Sequence, residues 1–295
     1  MKFDELLKTI ERLKNLRGVK TEIIGRSVLG RPIYAFRVGG AAGAGGVTPC
    51  KYGGSRKKCT SAPIIITGGI HAREWITALL VAEMATGATL GGDVYFVPLC
   101  NPDGAEIAIK TDPLWKSNAR GVDLNVNFDA DWGKGAKNVR AAGAENYIGL
   151  YPASEPETMA LVNFTLRVKP RAVIAYHSKG EVVYYAQWGC DAQRVKGVAG
   201  NGCDPQRVKG SLKNLNAKTK RLAMRVAKST GYAPERTKNS VGGYCDWVTM
   251  RLGVPAVTIE VGRDDLPHPI TPEYLPEIIA QNAGVLRAVG ATRSK

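Results

Sequence analysis

Histidine is scarce in this sequence, with three residues in 295. Long apolar runs are missing too: no stretch approaches the ~18 residues that a membrane-spanning helix needs, so no membrane span is expected. The opening segment MKFDELLKTIERLKNL has no continuous apolar core and does not read as a signal peptide. Its apolar residues Phe3, Leu6, Leu7, Ile10, Leu13 and Leu16 recur at helical spacing, which predicts an amphipathic helix. Cytoplasmic location is the expectation, with secretion or cell-wall association as the alternative. The six cysteines include no CxxC pair, which argues against a structural zinc site. Cys50/Cys59 and Cys190/Cys203 lie in two loops rich in Gly, Lys and Arg, where each pair could close a short disulfide or stay reduced. Cys100 and Cys245 read as ordinary buried thiols. A nucleic-acid-binding motif and a basic cluster interleaved with aromatics are also lacking. The net charge of +15 could mark a nucleic-acid binder or an attraction to any polyanion, such as an acidic wall polymer, but it is read as a soluble basic surface, and no nucleic-acid partner is expected.

Apolar residues make up 44% of the chain and charged ones 23%, enough for a sizeable core without a disordered composition. Alternating residues at 20–27 and 32–38 flank LGRP and predict a hairpin. Buried strands are expected at 62–69, 93–102, 171–178 and 254–260. Helices are expected from Glu74 to about Thr86, from Ser154 to about Val168, and at 212–230 and 272–288. Ser154 with Glu157 reads as a capping box. Residues 103–153 show little periodicity and read as long functional loops. Residues 40–60 form a Gly-rich low-complexity loop, and 188–210 hold the near-duplicates CDAQRVKG and CDPQRVKG. Short apolar strands alternating with helices predict a single α/β domain over residues 1–295, with a mixed, mostly parallel twisted sheet covered on both faces. Active sites of such sheets gather beyond the carboxyl ends of the strands.

Two of the three histidines stand there. His71 directly follows an apolar strand and His177 ends another; Glu74 lies three residues after His71, in GGIHAREWIT. A His and a Glu at a strand-to-helix turn, joined by a His from a distant strand, give three ligands and leave a fourth position for water. That set suits one catalytic Zn2+. The bland reading is a pair of satisfied core histidines beside a surface glutamate. Glu260 ends a buried strand, where a carboxylate has no packing role; it reads as a general base or as the partner of nearby Arg263. His268, between two prolines, reads as a loop residue.

The ordered motifs HAREW at 71–75, NPDG at 101–104, LWK at 114–116, GVDLNVNFD at 121–129, AYHSKG at 175–180, GGYCDW at 242–247 and TIEVG at 258–262 make the chain resemble the zinc carboxypeptidase family over roughly residues 20–290. The resemblance implies His71, Glu74 and His177 as zinc ligands and Glu260 as general base. It implies substrate contact by Arg73 and Asn125, and places Lys116 or Arg120 as the oxyanion-stabilising cation. The sequence departs from the family at Val126, where carboxypeptidases carry an arginine that grips the terminal carboxylate; valine cannot form that bidentate pair. Lys238 falls near the position of the family's tyrosine, and Cys245 at the base of the specificity pocket. NVNFDADWG, SKGE and TIEVGRDDLPHPI are similar to the bacterial branch that cuts γ-D-glutamyl-meso-diaminopimelate bonds. Lys116, Arg120, Lys179 and Arg263 would then bind the several carboxylates of a muropeptide. The competing readings are an ordinary metallocarboxypeptidase and a non-catalytic basic binding protein on the same scaffold.

Overall fold

The computed structural model describes residues 2–39, 62–87, 93–186, 205–238 and 241–290. Cys50, Cys59, Cys190, Cys203, the Gly-rich loop and most of the duplicated loop lie outside the described residues. The first helix, α1 (Phe3–Arg12), buries Phe3, Leu6 and Ile10 on one side. It leads into the expected hairpin of β1 (Lys20–Arg26) and β2 (Pro32–Val38). Then follow β3 (Ile64–Thr67), α2 (Ile76–Thr86), β4 (Val94–Val97), α3 (Pro102–Lys110), α4 (Pro156–Val168), β5 (Ala172–His177) and β6 (Val182–Tyr185). The last elements are α5 (Pro205–Thr230), β7 (Ala233–Arg236), α6 (Tyr244–Leu252), β8 (Ala256–Glu260), α7 (Leu275–Asn282) and α8 (Val285–Ala288).

The strands form one mixed sheet of eight in the order β1-β2-β4-β3-β5-β8-β6-β7. The centre is parallel: β3 pairs with β4 and β5, and β5 with β8. Successive residues of the central strands point to opposite faces. Ile64, Ile66, Ile174 and Tyr176 join one core with α1, α2 and the later turns of α5. Ile65, Val173 and Ala175 join the other with Phe164 of α4 and Trp247 of α6. Burial on both faces explains why these strands are uniformly apolar instead of alternating.

Several expectations change in detail. The strand expected over 93–102 stops at Val97, because Asn101 caps a helix: its Oδ1 accepts from Gly104 N–H at 3.0 Å, with Pro102 in the first turn. NPDG therefore opens α3 within what reads as loop. Ser154 is not the cap of α4. Glu155 holds that position, and Ser154 Oγ donates to its Oε1 at 2.8 Å. Glu157 does not reach back to the cap, because tertiary donors claim it: it accepts from Val28 N–H at 3.0 Å and Asn118 Nδ2 at 3.2 Å. The closing helix breaks into α7 and α8, and α5 begins at Pro205 within the second duplicate.

Asn101, wholly buried, also ties two site loops together by donating from Nδ2 to Ile70 O at 3.3 Å and to Ser117 O at 3.0 Å. Gly104 leaves room for it: a Cβ there would lie 2.4 Å from Asn101 Nδ2 and 2.4 Å from the Ser117 carbonyl oxygen. Gly104→Ala is therefore expected to cost about 1–3 kcal/mol by overpacking. Urea denaturation reads this directly, and an unchanged midpoint and slope would contradict it.

Candidate active site

The site is built where β3, β5 and β8 end side by side. Two glycines carry the chain out of β3. A Cβ on Gly68 would sit 2.7 Å from the Thr77 carbonyl oxygen, and Gly69 has a φ of +58°. Thr77 Oγ1 accepts from Gly69 N–H at 2.8 Å and donates to Glu74 O at 2.7 Å, fixing the turn that presents His71 and Glu74. His177 comes from the last position of β5, directly opposite Glu260 on β8.

His71, Glu74 and His177 are all buried, and their donor atoms lie within 4.8 Å of one another. Glu74 Oε1 is 2.8 Å from His71 Nδ1; Glu74 Oε2 is 3.0 Å from His177 Nδ1 and accepts from Ser178 N–H at 3.2 Å. The two Nδ1 atoms are 3.1 Å apart. These separations are close to the ~3.3 Å between ligands placed 2.0–2.1 Å from a tetrahedral zinc. His177 Nε2 is buried with no hydrogen-bond partner. The inward-facing Nδ1 pair and the carboxylate thus form a cradle whose chemistry fits one cation. Burial pushes Glu74 up, but the two imidazoles overcome it and hold the carboxyl well below its ordinary value. Burial lowers His71, and Glu74 and Asp123 more than reverse this.

Asp123, inside GVDLN, is a site residue that the sequence alone does not single out. It is completely buried, with Oδ1 3.2 Å from His71 Nε2 and Oδ2 2.8 Å from Lys116 Nζ. Backbone N–H groups of Asn125 and Asn146 also donate to it, at 3.0 and 3.2 Å. Burial alone would raise its pKa, yet Lys116 and His71 hold it far below the ordinary carboxylate range. An aspartate among Val122 and Leu124 was the available signal, because an apolar-flanked carboxylate needs a buried partner. Through it, Lys116 is held beside the cluster with its side chain 16% exposed, and Ala72 N–H donates to Lys116 O at 3.0 Å.

Glu260 is half-buried. Burial raises it to about 7, His177 opposes this, Glu74 adds to it and Lys116 opposes it. It opens on a cavity of about 260 Å³ whose lining includes Asn125, Tyr184, Lys238, Cys245 and Asp246. Asn125 Oδ1 accepts from Tyr244 N–H at 3.0 Å, and Val126 occupies the same turn. Burial raises Asp246 to about 7, its Oδ2 accepting from Gly243 N–H at 3.1 Å.

The other expected residues are placed as follows. Arg73 donates to Leu114 O at 3.1 Å and lies 3.3 Å from Glu145. Lys179 binds the carbonyl oxygen of Asp264. Arg120 is not gathered into the cluster: its side chain is 56% exposed and 3.7 Å from Glu155. Arg263 is on the surface, 3.1 Å from Asp265 and 3.7 Å from Glu277, so it is not the partner of Glu260. His268, read as a loop residue, is in a loop but close enough to the cluster to feel the charges of Glu74, Arg73 and Lys179; burial lowers its pKa, and its Nδ1 has no partner.

The zinc carboxypeptidase sequence pattern matches residues 6–283. The chain belongs to the zinc carboxypeptidase family. Its cofactor is Zn2+. Gamma-D-glutamyl-L-diamino acid endopeptidase 1 of Lysinibacillus sphaericus is 26% identical over 287 residues, covering 84% of this chain. The chain spans 62% of that relative's length. Bovine thrombin-activatable fibrinolysis inhibitor, solved with a tick carboxypeptidase inhibitor, shares the fold with a TM-score of 0.72 at 22% identity, over 98% of this chain and 95% of that one. The murein-tripeptide amidase MpaA of Escherichia coli also shares it, with a TM-score of 0.54 at 20% identity, over 90% and 91% of the two chains. The carboxypeptidase fold explains why the motif residues converge from separate strands.

Cys245 lines the cavity beside Glu260, yet burial raises its thiol to about 12, as it does for Cys100. A thiol is ionised only as pH rises through its pKa, so at pH 8 only about one in ten thousand is thiolate. Iodoacetamide at pH 8 should leave Cys100 and Cys245 of the folded protein unmodified and label both in denaturant, as peptide mapping reads. Rapid native labelling of Cys245 would contradict this environment.

Proposed function

We propose that the protein is a zinc metallopeptidase that hydrolyses the amide bond between γ-D-glutamate and a diamino acid in cell-wall peptides. His71, Glu74 and His177 would hold the zinc, Glu260 would act as base, and Lys116 would steady the oxyanion. The observation that carries the chemistry is the converging set of donor atoms on His71, Glu74 and His177, with Glu260 opposite His177 in the sheet register. The substrate class is supported by likeness to the Lysinibacillus endopeptidase and by the apolar Val126 next to the cavity.

A zinc ion bound there supplies Lewis acidity toward the scissile carbonyl and lowers the pKa of water. Asp123 fixes His71 by its contact at Nε2, leaving Nδ1 facing Glu74 and His177. Glu260 takes the proton of the attacking water on its carboxylate and passes it to the leaving amine. Lys116 presents an ammonium that burial disfavours but Asp123 and Glu74 keep charged. It serves as a compact point charge for the developing oxyanion. Lys238 is the one lysine or arginine among the described residues lining the cavity, so a substrate carboxylate meets an ammonium there instead of a fixed guanidinium fork.

Digestion of defined muropeptides by the zinc-loaded protein, followed by mass analysis, should release a product containing the diamino acid. Intact muropeptides together with shortened ordinary peptides would establish the metallocarboxypeptidase reading instead. Glu260→Gln should keep full zinc content and lower kcat about 10²–10⁴-fold. His177→Ala should lose zinc, measured by metal analysis after gel filtration. Retention of wild-type kcat by Glu260→Gln would remove Glu260 from the chemistry.

A further inference from the structure

A second polar feature lies at the other end of the sheet. Arg171 and Pro255 stand just before β5 and β8, whereas His177 and Glu260 end the same strands. Six residues of strand separate the two ends by roughly 20 Å. Between these strand starts and α5 runs a cleft of about 710 Å³, whose cations are Arg171, Lys218, Lys220, Arg221 and Arg225. Its remaining lining is aliphatic, with no acidic and no aromatic residue among the described ones.

The helix spacing explains the concentration of charge. Lys218, Arg221 and Arg225 fall at intervals of three and four, so they share one face of α5 and spread over about 10 Å of its axis. Lys218, Lys220, Arg221 and Arg225 are exposed, and among the described residues no carboxylate forms an ion pair with them. Arg171 is recessed. It donates from one terminal nitrogen to Val289 O at 3.1 Å and from the other to Gly290 O at 2.9 Å, while its Nε is buried without a partner. Burial and the neighbouring Arg225 both lower its pKa, the mark of positive charges gathered without an anion.

We propose that this cleft binds a linear phosphodiester polymer that carries no bases. The cations extend further than one phosphate can touch, which favours a chain over a single anion. The missing aromatics leave nothing for bases to stack on, which sets the site apart from single-stranded nucleic-acid grooves. Binding there would hold the protein on an anionic polymer and leave the opposite end of the sheet free. The inference stands independently of the peptidase reading.

The test measures binding of a fluorescent glycerol-phosphate oligomer to the zinc-loaded protein by anisotropy across a salt series. Affinity should fall as salt rises, in the manner of phosphate contacts made by Lys and Arg. The triple variant Lys218→Glu, Arg221→Glu, Arg225→Glu should bind at least about tenfold more weakly. A control with the same charge change on the α1 side, Lys8→Glu, Arg12→Glu, Arg17→Glu, should stay within about twofold of wild type. The milder pair Lys218→Gln, Arg221→Gln, melting like wild type, should show an intermediate loss and guards against misfolding. Equal losses in the two triple variants would reduce the effect to bulk charge and overturn the site. Absence of wild-type binding, or tighter binding of a single-stranded DNA with the same number of phosphates, would overturn it too.

Discussion

A carboxylate held between two imidazoles at the ends of parallel strands sets the terms for the whole molecule. Glu74 meets His71 Nδ1 at 2.8 Å, His177 Nδ1 at 3.0 Å and Ser178 N–H at 3.2 Å, and all four residues are buried. A buried charge is tolerable only when its surroundings compensate it, so each group brought here needs a partner of its own. Gly68 and Gly69 let the chain leave β3 tightly enough to place His71 and Glu74. The parallel pairing of β3 with β5 and of β5 with β8 supplies His177 and Glu260 from the neighbouring strand ends.

The charges around this point are arranged for one more cation. Glu74, Asp123 and Glu260 are three carboxylates, and Lys116 is the ammonium set among them. Arg73 is turned toward Glu145 and the Leu114 carbonyl oxygen. With neutral imidazoles and an ionised Glu260, two negative charges remain, and a divalent ion balances them. The same arithmetic accounts for a Glu260 raised to about 7 by burial and by Glu74 in the absence of that ion. Behind the candidate ligands, Asp123 touches His71 and Lys116 pairs with Asp123, the kind of support a metal site draws on.

The sequence was most legible where one residue's local context carries the signal. The central strands are continuous apolar runs because both faces are covered, and His71, His177 and Glu260 stood out as polar residues at the ends of such runs. Long-range partners were less legible. Glu157 has the spacing of a capping residue, but Val28 and Asn118 claim its carboxylate. Lys116 stands at the expected position in sequence with Arg120 as the alternative, and only the fold sets one against Asp123 and the other against Glu155. Asp123 lies inside the GVDLN motif, but its long-range contacts come from residues 71, 116 and 146. The helix α3 was hidden because Asn101 and Pro102 read as the end of a strand and the residues after them as loop, although Asn followed by Pro makes a strong helix start.

Zinc-edge anomalous diffraction from crystals of the zinc-loaded protein shows whether one zinc ion sits between His71, Glu74 and His177. A single strong anomalous peak is expected within bonding distance of His71 Nδ1, His177 Nδ1 and the Glu74 carboxylate. A peak held by other side chains, or none at this position at full zinc occupancy in solution, would contradict it.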